Sequence, residues 1–332
     1  MLTRESPPPA WLSSDAPESD VVLSSRVRVM RNLLGHRFVH SAGEDELMRV
    51  MAKVFRASES CPIELETFKD LTNAERDYLV GCRLVSPDFE WSLPGRAVLI
   101  DRARSVGIMI NEEDHVRVQA LTAGLSFHLA NRICDEAIAG LAHRLEFAFS
   151  PKFGYLSASH INLGPGKRIS AMFHLIGLAQ MKRLPAVIAA LAARGISVRG
   201  LFGESSRAVG AYAQISVLSG NRQEFAGACE YLVEEERRAR REVGWERLIE
   251  RANRAREFAL GSQAISLADA LRVLGWIRWG ASAQIPGFHL KSREIDAALA
   301  GLEIRGTMQE ELAAMRRAAT LREAVEGGIK GA

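Results

Sequence analysis

The apolar pattern of this chain changes character along its length, and that change is the strongest limit on its fold. From Val21 to about Gly220 the spacing of apolar residues switches repeatedly between a period of two, typical of strands, and a period of about 3.6, typical of helices. After a break at Gly261-Ser262 the spacing is helical. The pattern therefore predicts three parts: a loose N-terminal arm over residues 1–20, an α+β domain over residues 21–262 and a helical domain over residues 263–332.

Period-two runs bounded by turn residues predict the strands of the α+β domain. They are Val21–Val29, Ala97–Ile100, Val106–Ile110, Val116–Leu121, Gly154–Ala158, Ser170–Leu175, Val198–Phe202 and Ala213–Val217. The helical period predicts helices at Glu44–Ala57, Ser126–Phe147, Leu184–Ala193 and Arg222–Leu260. The last of these is dense in charge, which is typical of the solvated face of an amphipathic helix.

The composition narrows the classes of function. Lys and Arg total 43 against 40 Asp and Glu, and this net charge of +3 argues against a general coat for nucleic acid while leaving room for a local basic cleft. No apolar run approaches the roughly 20 residues of a membrane-spanning helix, and the N-terminus lacks the pattern of a signal peptide. The 4 cysteines have no metal-binding spacing. We therefore expect a cytoplasmic protein with no metal-ligand cluster and no membrane or nucleic-acid partner.

Two arginines alternate with a valine in the first predicted strand, Ser24-Ser25-Arg26-Val27-Arg28. Side chains two residues apart in a strand project from the same face, so Arg26 and Arg28 should stand side by side. Adjacent guanidinium groups repel each other unless an anion lies between them, and the planar fork of arginine suits phosphate. The segment by itself is equally compatible with a phosphate site and with a solvated basic face.

Three consecutive carboxylates, Glu112, Glu113 and Asp114, fall between two predicted strands. The neighbouring His115 and Arg117 offset their mutual repulsion only in part. Such a cluster suits a metal ion, a cationic substrate or a general base, although a solvated acidic turn would have the same sequence.

Two further segments indicate a function only when they are considered together with the arginine strand and the acidic triplet. The Gly-rich run Asn162–Arg168 can direct backbone N–H groups towards phosphate, but it lacks the Walker spacing and by itself is typical of a turn. Val198–Arg207 has the pattern of a strand that enters a loop. If the four segments converge, they would surround a polyphosphate with arginines next to a carboxylate base, which indicates phosphoryl transfer; these arginines are Arg26, Arg28, Arg117, Arg168 and Arg199.

The Ser-Ser-Arg-Val-Arg and Asn-Glu-Glu-Asp-His-x-Arg segments, in this order and spacing, resemble those of the ATP:guanidino phosphotransferases (phosphagen kinases), especially the bacterial protein-arginine kinase branch. The resemblance runs from about Val21 to Gly220 and more loosely into the C-terminal helices. It implies a curved antiparallel sheet flanked by helices, followed by a small all-α domain. It also implies an enzyme that uses ATP and Mg2+ to phosphorylate a guanidino group.

The resemblance assigns roles to individual residues. Glu113 would orient and deprotonate the guanidinium, with Glu112 and Asp114 in support through magnesium-bound water. The full set that the resemblance implies for ATP comprises Ser24, Ser25, Arg26, Val27, Arg28, Arg83, Arg117, Arg168, Ile169, Ser170, Ala171, Met172, Arg199, Gly200, Leu201, Phe202, Gly203 and Glu204.

Three positions depart from the family pattern. Ser159 occupies the place of a cysteine that helps to position the guanidinium, and a serine hydroxyl would stay neutral. Arg207 stands where many members place a second glutamate, and its charge would repel an incoming guanidinium if the side chain pointed inward. Arg83 stands where relatives tend to carry a histidine near the nucleotide.

These departures leave two hypotheses of different class. The first is an active kinase that phosphorylates arginine side chains exposed on proteins. The alternative is a nucleotide-binding pseudokinase with a regulatory or scaffolding role. A kinase of small molecules such as arginine or creatine is disfavoured, because those enzymes carry a helical domain before the catalytic one and only a short arm precedes Arg26. The resemblance further implies a homodimer formed through the helical domain, and any zinc-binding activator would be a separate chain.

Overall fold

One antiparallel sheet dominates the α+β part of the chain. The structure is a computed structural model that describes residues 9–13, 15–200, 208–218, 221–288, 291–302 and 309–326. Its strands are β1 Val22–Arg31, β2 Leu65–Phe68, β3 Ala97–Asp101, β4 Val106–Ile110, β5 Val116–Ala123, β6 Phe149–Ser150, β7 Gly154–Tyr155, β8 Lys167–His174, β9 Ser197–Gly200 and β10 Tyr212–Leu218. Eight of them form a sheet in the order β2-β3-β4-β5-β1-β8-β10-β9, while β6 and β7 pair separately. Every neighbouring pair is antiparallel.

Helices flank the sheet and make up the C-terminal part of the chain. They are α1 Ala10–Ser13, α2 Glu44–Ser58, α3 Asn73–Gly81, α4 Phe127–Ala142, α5 Ile176–Gln180, α6 Leu184–Ala193, α7 Arg222–Val243, α8 Trp245–Gly261, α9 Leu267–Ser282, α10 Ser292–Gly301 and α11 Glu310–Glu326. Within the described ranges, no helix is both long enough and apolar enough to cross a membrane. The arrangement belongs to the α+β class that the sequence predicted.

The central strand β1 has two chemically different faces. Val27 and Val29 are buried on one face, where they join a core that includes Phe127 of α4. Arg26 and Arg28 lie half-buried on the other face. The alternation of valine and arginine therefore decides which side of the sheet is core and which side is open to a ligand.

The helices from α8 to α11 form a second core that rests against one end of the sheet. This core contains Leu271 and Leu274 of α9 together with Met172 of β8. The approach between α3 and α10 is so close that a Cβ at Gly81 would lie 1.9 Å from the carbonyl oxygen of Ala300. Only glycine can occupy position 81 without pushing α10 away.

A buried arginine joins three parts of the chain. Arg278 on α9 is 0% exposed and pairs with Asp296 on α10 at 2.8 Å. It also donates to the carbonyl oxygens of Ser19 and Asp20 at 2.9 and 3.2 Å. Because a buried charge is tolerated only when its partners are in place, this guanidinium fixes the segment before β1 against both helices.

The described part of the predicted loose arm packs against the fold. Trp11 and Leu12 of α1 are buried in a small core with Leu79 of α3 and Phe89. Asp20 accepts a hydrogen bond from Arg237 of α7 at 2.6 Å. The proline-rich composition is typical of a loose segment, but a single buried tryptophan anchors it here.

Most of the predicted elements are confirmed, and the differences have local causes. The strand predicted over Gly154–Ala158 is reduced to β7, because Ser157 and Ala158 turn away to bind Asp114. The helix predicted over Ser126–Phe147 ends at Ala142. The half-exposed strand β2 and the helix α3 were not predicted, since β2 is only 4 residues long and carries no clear alternation.

The charged helix predicted over Arg222–Leu260 is two helices. Gly244 separates α7 from α8 with a φ of 88°, a conformation that favours glycine. Leu248 and Ala252 of α8 then pack in the helical core rather than against the sheet. The domain boundary near residue 262 stays a prediction, although α8 shares its packing with the helices that follow.

Candidate active site

The register of the sheet brings the predicted arginines together. Arg28 on β1 lies directly opposite Arg168 on β8. Met30, two residues further along β1, lies opposite Arg117 on β5. Because paired residues on neighbouring strands share a face, Arg26, Arg28, Arg117 and Arg168 point to the same side of the sheet.

These arginines disfavour one another's charge. Burial lowers the pKa of Arg26 to about 9, and the positive charges of Arg83, Arg117 and Arg168 contribute to the shift. Burial and then Arg26 lower the pKa of Arg28 well below its usual value. The Nε atom of Arg28 is also buried without a hydrogen-bond acceptor on the described part of the chain. Such a cluster is stabilised only when an anion enters it.

Neutral side chains on β10 orient two of the guanidinium groups. Arg26 Nη2 donates to Gln214 Oε1 at 2.9 Å, and Arg168 Nη2 donates to Ser216 Oγ at 3.4 Å. A neutral acceptor fixes the direction of a guanidinium without cancelling its charge. The positive charge therefore stays available to a ligand.

A cavity of about 640 Å³ lies over this face of the sheet, a volume in the range of small-molecule and cofactor sites. Glu112 and Glu113 line it at the end of β4. The predicted arginines that line it are Arg26, Arg28, Arg83, Arg117 and Arg199. Arg168 is not a lining residue but stands beside Arg28 in the register.

Glu112 is the paired member of the acidic triplet, which occupies the turn between β4 and β5 as predicted. Arg117 Nη1 lies 2.5 Å from Glu112 Oε1, and the backbone N–H of Glu113 donates to Glu112 Oε2 at 2.8 Å. Burial by itself would raise the pKa of Glu112, but Arg117 and this N–H more than offset it, so that the pKa is lowered. Glu112 is therefore ionised and fixes the position of Arg117.

Glu113 is the exposed member of the triplet and faces the cavity. Partial burial, followed by the neighbouring charges of Asp114 and Glu112, raises its pKa, while Arg117 and a hydrogen bond from Ser159 act in the opposite direction. A carboxylate with a raised pKa is a better proton acceptor than an ordinary glutamate. Ser159, which departs from the family pattern, thus lies close enough to lower the pKa of the predicted base.

Asp114 is the buried member, and its surroundings differ from those expected of a group that supports a magnesium ion. Its carboxylate is 0% exposed and accepts hydrogen bonds from Asn32 Nδ2 at 2.6 Å, Ser157 Oγ at 2.7 Å and the Ala158 N–H at 2.7 Å. Three donors from two other segments leave little room for a water ligand. Asp114 ties the turn to the end of β1 and to the loop that carries Ser159.

Asp114→Ala is expected to lower the free energy of unfolding by about 3 kcal/mol or more, because three buried donors lose their acceptor together. Urea denaturation measures the change. Asp45→Ala, at an exposed position of α2, is the matched control and should change the stability by about 0.5 kcal/mol or less. Equal stability of the two variants would show that the network around Asp114 does not hold the turn in place.

The Gly-rich run is a structural turn rather than part of the cavity wall. Arg31 Nη1 donates to the carbonyl oxygens of Pro165 and Gly166 at 3.1 and 3.2 Å, and its guanidinium lies 3.5 Å from the ring of Tyr155. Lys167 Nζ pairs with Asp135 at 2.5 Å. None of the residues before Arg168 in this run lines the cavity.

The other residues that the resemblance implies for ATP lie on two different faces of the sheet. Met172 and Gly200 line the cavity, Ser24 Oγ accepts a hydrogen bond from Arg83 at 3.0 Å, and Ser170 Oγ donates to the Arg26 carbonyl at 3.2 Å. The side chains of the alternate positions point into the core beneath the sheet, so only their backbone could face a ligand; these are Ser25, Val27, Ile169 and Ala171. Leu201, Phe202, Gly203, Glu204 and Arg207 lie outside the described residues.

Sequence reasoning missed several residues of the cavity. Gln214 could have been found, because the alternation in Ala213–Val217 places it on the same face as Met172, its cross-strand neighbour. Trp11, Leu299 and Ala300 come from distant parts of the chain, and no local pattern links them to the arginine strand.

The described residues contain no group of three or more His, Cys, Asp or Glu side chains arranged to hold a metal ion. Glu112 and Glu113 are among the carboxylates that line the cavity together with the arginines. A hard cation such as Mg2+ would fit here when phosphate oxygens and water supply most of its ligands, since Mg2+ usually keeps several waters.

Comparison with known proteins gives consistent matches. Residues 46–230 match the family described as ATP:guanido phosphotransferase, C-terminal catalytic domain, a range that begins after β1. A protein-arginine kinase of Moorella thermoacetica is 34% identical over 293 residues, which cover 83% of each chain. One of Halothermothrix orenii is 37% identical over 283 residues and 81% of each chain.

Solved structures resemble the fold. A lombricine kinase superimposes with a TM-score of 0.58 at 21% identity and covers 72% of each chain. A substrate-free duplicated taurocyamine kinase from Schistosoma mansoni superimposes with a TM-score of 0.57 at 23% identity; the match covers 68% of this chain and 35% of that one. At this level of identity the likeness concerns the fold alone.

Proposed function

The chain belongs to the ATP:guanido phosphotransferase family, and from that premise we propose that it transfers the γ-phosphoryl group of ATP to arginine side chains of proteins. The membership confirms the resemblance on which the sequence analysis relied. Relatives that are 31–37% identical carry the name protein-arginine kinase, which supports arginine in proteins as the acceptor. A cytoplasmic location, a homodimer and a separate activator stay predictions.

The observation that carries the proposal is a set of half-buried arginines next to a carboxylate with a raised pKa. The mutual repulsion and the burial of Arg26 and Arg28 lower the stability of the folded protein. A bound triphosphate would offset this loss. Glu113 lines the same cavity with the opposite charge. Guanidino phosphorylation requires a polyphosphate donor and a cationic acceptor to bind next to each other.

The transfer step follows from these charges. A guanidinium has a pKa above about 12 and its nitrogen is a poor nucleophile until a proton leaves. Glu113 would pair with the guanidinium, fix its plane and accept one proton as the N–P bond forms and the bond from the γ-phosphorus to the bridging oxygen breaks. The electrons of that bond leave with ADP. Arg28, Arg117 and Arg26 would stabilise the charge on the transferred group and on ADP.

Mg2+ would enter the cavity bound to the phosphates of ATP and would offset their negative charge. Glu112 is already bound to Arg117, so we expect it to hold the arginine rather than the metal. The exposed position of Glu113 allows an arginine on a large protein to reach it from solvent.

The proposal is tested by incubating the protein with Mg-ATP and an unfolded, arginine-rich protein, followed by mass spectrometry under conditions that preserve acid-labile phosphoarginine. The expected result is phosphoarginine on the acceptor protein and release of ADP in equal amounts. The same acceptor with every arginine replaced by lysine is the control, and it should remain unmodified because Glu113 requires a planar, bidentate partner.

Other outcomes of this experiment would favour a different function. Absence of phosphoarginine together with clear stabilisation by ATP would favour a nucleotide-binding pseudokinase, the hypothesis that Ser159 and Arg207 raise. Phosphorylation of free arginine but of no protein would contradict the protein acceptor. Absence of both product and nucleotide binding would overturn the assignment of the arginine cluster.

A further inference from the structure

Large apolar side chains are exposed in the segments next to the turn that carries Glu113. Phe149 and Phe153, in the β6–β7 hairpin, are 57% and 53% exposed. Leu34, just after β1, is 57% exposed, and Ile161 is 45% exposed. The proposed transfer step uses none of the four. Apolar side chains that are exposed together rather than singly mark a binding surface.

Backbone hydrogen bonds hold these segments side by side. The N–H of Ala148, before Phe149, donates to the carbonyl oxygen of Asn32 at 2.8 Å. The N–H of Tyr155 in β7 donates to the carbonyl oxygen of Gly164 at 2.8 Å, which joins the hairpin to the next loop. The segments therefore form one continuous surface, which we call the apolar rim. Its members are Leu34, Phe149, Phe153 and Ile161.

The apolar rim is joined directly to the carboxylate turn. Asn32 Nδ2 and the N–H of Ala158 donate to Asp114 at 2.6 and 2.7 Å. Ala158 lies three residues after the end of β7, a span of roughly 10 Å in extended chain. A polypeptide whose arginine reaches Glu113 would therefore have residues over the rim within about three positions of that arginine.

The hairpin is held in place although it is short. The Arg31 guanidinium lies 3.5 Å from the centre of the Tyr155 ring, and the ring of Phe149 packs edge-on against the same ring at 5.2 Å. A Cβ at Gly154 would lie 2.6 Å from Gly164, so the two backbones are in contact. Side chains on such a fixed support lose little conformational entropy when a ligand covers them.

The size and the charge of the rim favour one polypeptide segment as its occupant. Four side chains at about half exposure offer roughly 400 Å², which is less than the roughly 800 Å² that each partner buries in a stable dimer. Lys152 Nζ lies 5.1 Å from the centre of the Phe153 ring. This cation would repel basic residues next to the acceptor arginine, so the neighbours that fit are uncharged and apolar.

We propose that the apolar rim binds apolar side chains that flank the acceptor arginine in an unfolded protein segment. This inference rests on the proposed function and adds a selection that does not depend on the arginine itself. Large apolar residues are mostly buried in folded proteins. The rim would therefore favour arginines of unfolded segments over arginines on folded surfaces.

The inference is tested with labelled peptides of glycine and serine that carry one central arginine. The first peptide has a leucine about three residues to each side of the arginine, the second has both leucines at its far ends, and the third has none. Dissociation constants are measured by fluorescence anisotropy with Mg-ADP, so that no phosphoryl group is transferred. We expect the first peptide to bind about tenfold more tightly than the third and the second to resemble the third.

Phe153→Ser should reduce this tenfold preference to about threefold, because it removes an exposed ring that belongs to none of the cores. Leu34→Ser is an independent second variant and should act in the same direction. Phe258→Ser is the matched control, since Phe258 is 51% exposed on α8. It should keep the full preference. All three variants should bind Mg-ATP within about twofold of the wild type.

Equal affinity of the wild type for the three peptides would overturn the inference, as would a preference that survives both Phe153→Ser and Leu34→Ser. A change in the oligomeric state of Phe153→Ser in analytical ultracentrifugation would also overturn it, because the rim would then be an interface between copies. An inactive wild type that still prefers the first peptide would contradict the proposed function and leave the inference intact. An active wild type without this preference would overturn the inference alone.

Discussion

Glu113→Gln is expected to lower the rate of phosphoarginine formation by about 10²- to 10⁴-fold while the dissociation constant of Mg-ATP stays within about twofold. Glutamine keeps the shape of the side chain but can neither accept the proton nor form a charged pair with the guanidinium. The arginine cluster is untouched, so nucleotide binding should survive. Single-turnover kinetics and calorimetry measure the two quantities separately.

The pH dependence of the wild type adds a second readout for the same residue. The base must be ionised, and partial burial with the charges of Asp114 and Glu112 raises the pKa of Glu113. As the pH is lowered, the carboxylate becomes protonated and the rate should fall. Because the pKa is raised, this fall should begin at a higher pH than for a glutamate with an ordinary pKa. Glu64→Gln, at an exposed position far along the chain from the turn, should leave both rate and profile unchanged.

An active Glu113→Gln variant with an unaltered pH profile would show that another group accepts the proton. Loss of ATP binding in the same variant would instead show that Glu113 contributes to the nucleotide site. Either result would contradict the separation of the cavity into a phosphate part and a guanidino part.

Arg28→Met is expected to abolish the thermal stabilisation that Mg-ATP gives the wild type, while the melting temperature without ATP rises. Arg28 faces Arg168 across the strands, and burial followed by Arg26 holds its pKa well below the usual value. The positive charge therefore lowers the stability of the protein without ATP. This loss is offset only when phosphate binds. Methionine fills a similar volume without the charge.

Thermal unfolding with and without Mg-ATP measures both effects in one experiment. Arg132→Met on α4 is the control, because Arg132 is exposed on the opposite side of the sheet. It should keep the response to ATP and the melting temperature. A lower melting temperature for Arg28→Met without ATP would mean that Arg28 supports the fold, and a preserved response to ATP would remove it from the phosphate site.

The sequence could predict the pieces of the site because each is a local pattern. Alternation placed Arg26 and Arg28 on one face of a strand, and the two flanking strands placed Glu113 in a turn. The convergence with Arg168 required the register between β1 and β8, which depends on residues far apart in the chain. It was reached through the family resemblance rather than through any pattern in one segment.

Other features were beyond local reasoning. Three adjacent carboxylates have the same sequence signal, yet Asp114 is buried and Glu113 is exposed, because Asn32 and the loop at Ser157 approach only one of them. Trp11 lies in a proline-rich segment whose composition is typical of a loose arm. Its burial depends on helix α3 and the loop at Phe89, which the pattern near residue 11 does not contain.

The position of β1 at the centre of the sheet has a consequence for biosynthesis. β1 leaves the ribosome well before its neighbour β8 at residues 167–174, and the segment before β1 binds Arg278, which is translated later still. Contacts between such distant residues form late, since loop closure must precede them. The nascent chain therefore carries its arginine pair without the strand that completes the phosphate site, and this site can form only after β8 has been translated.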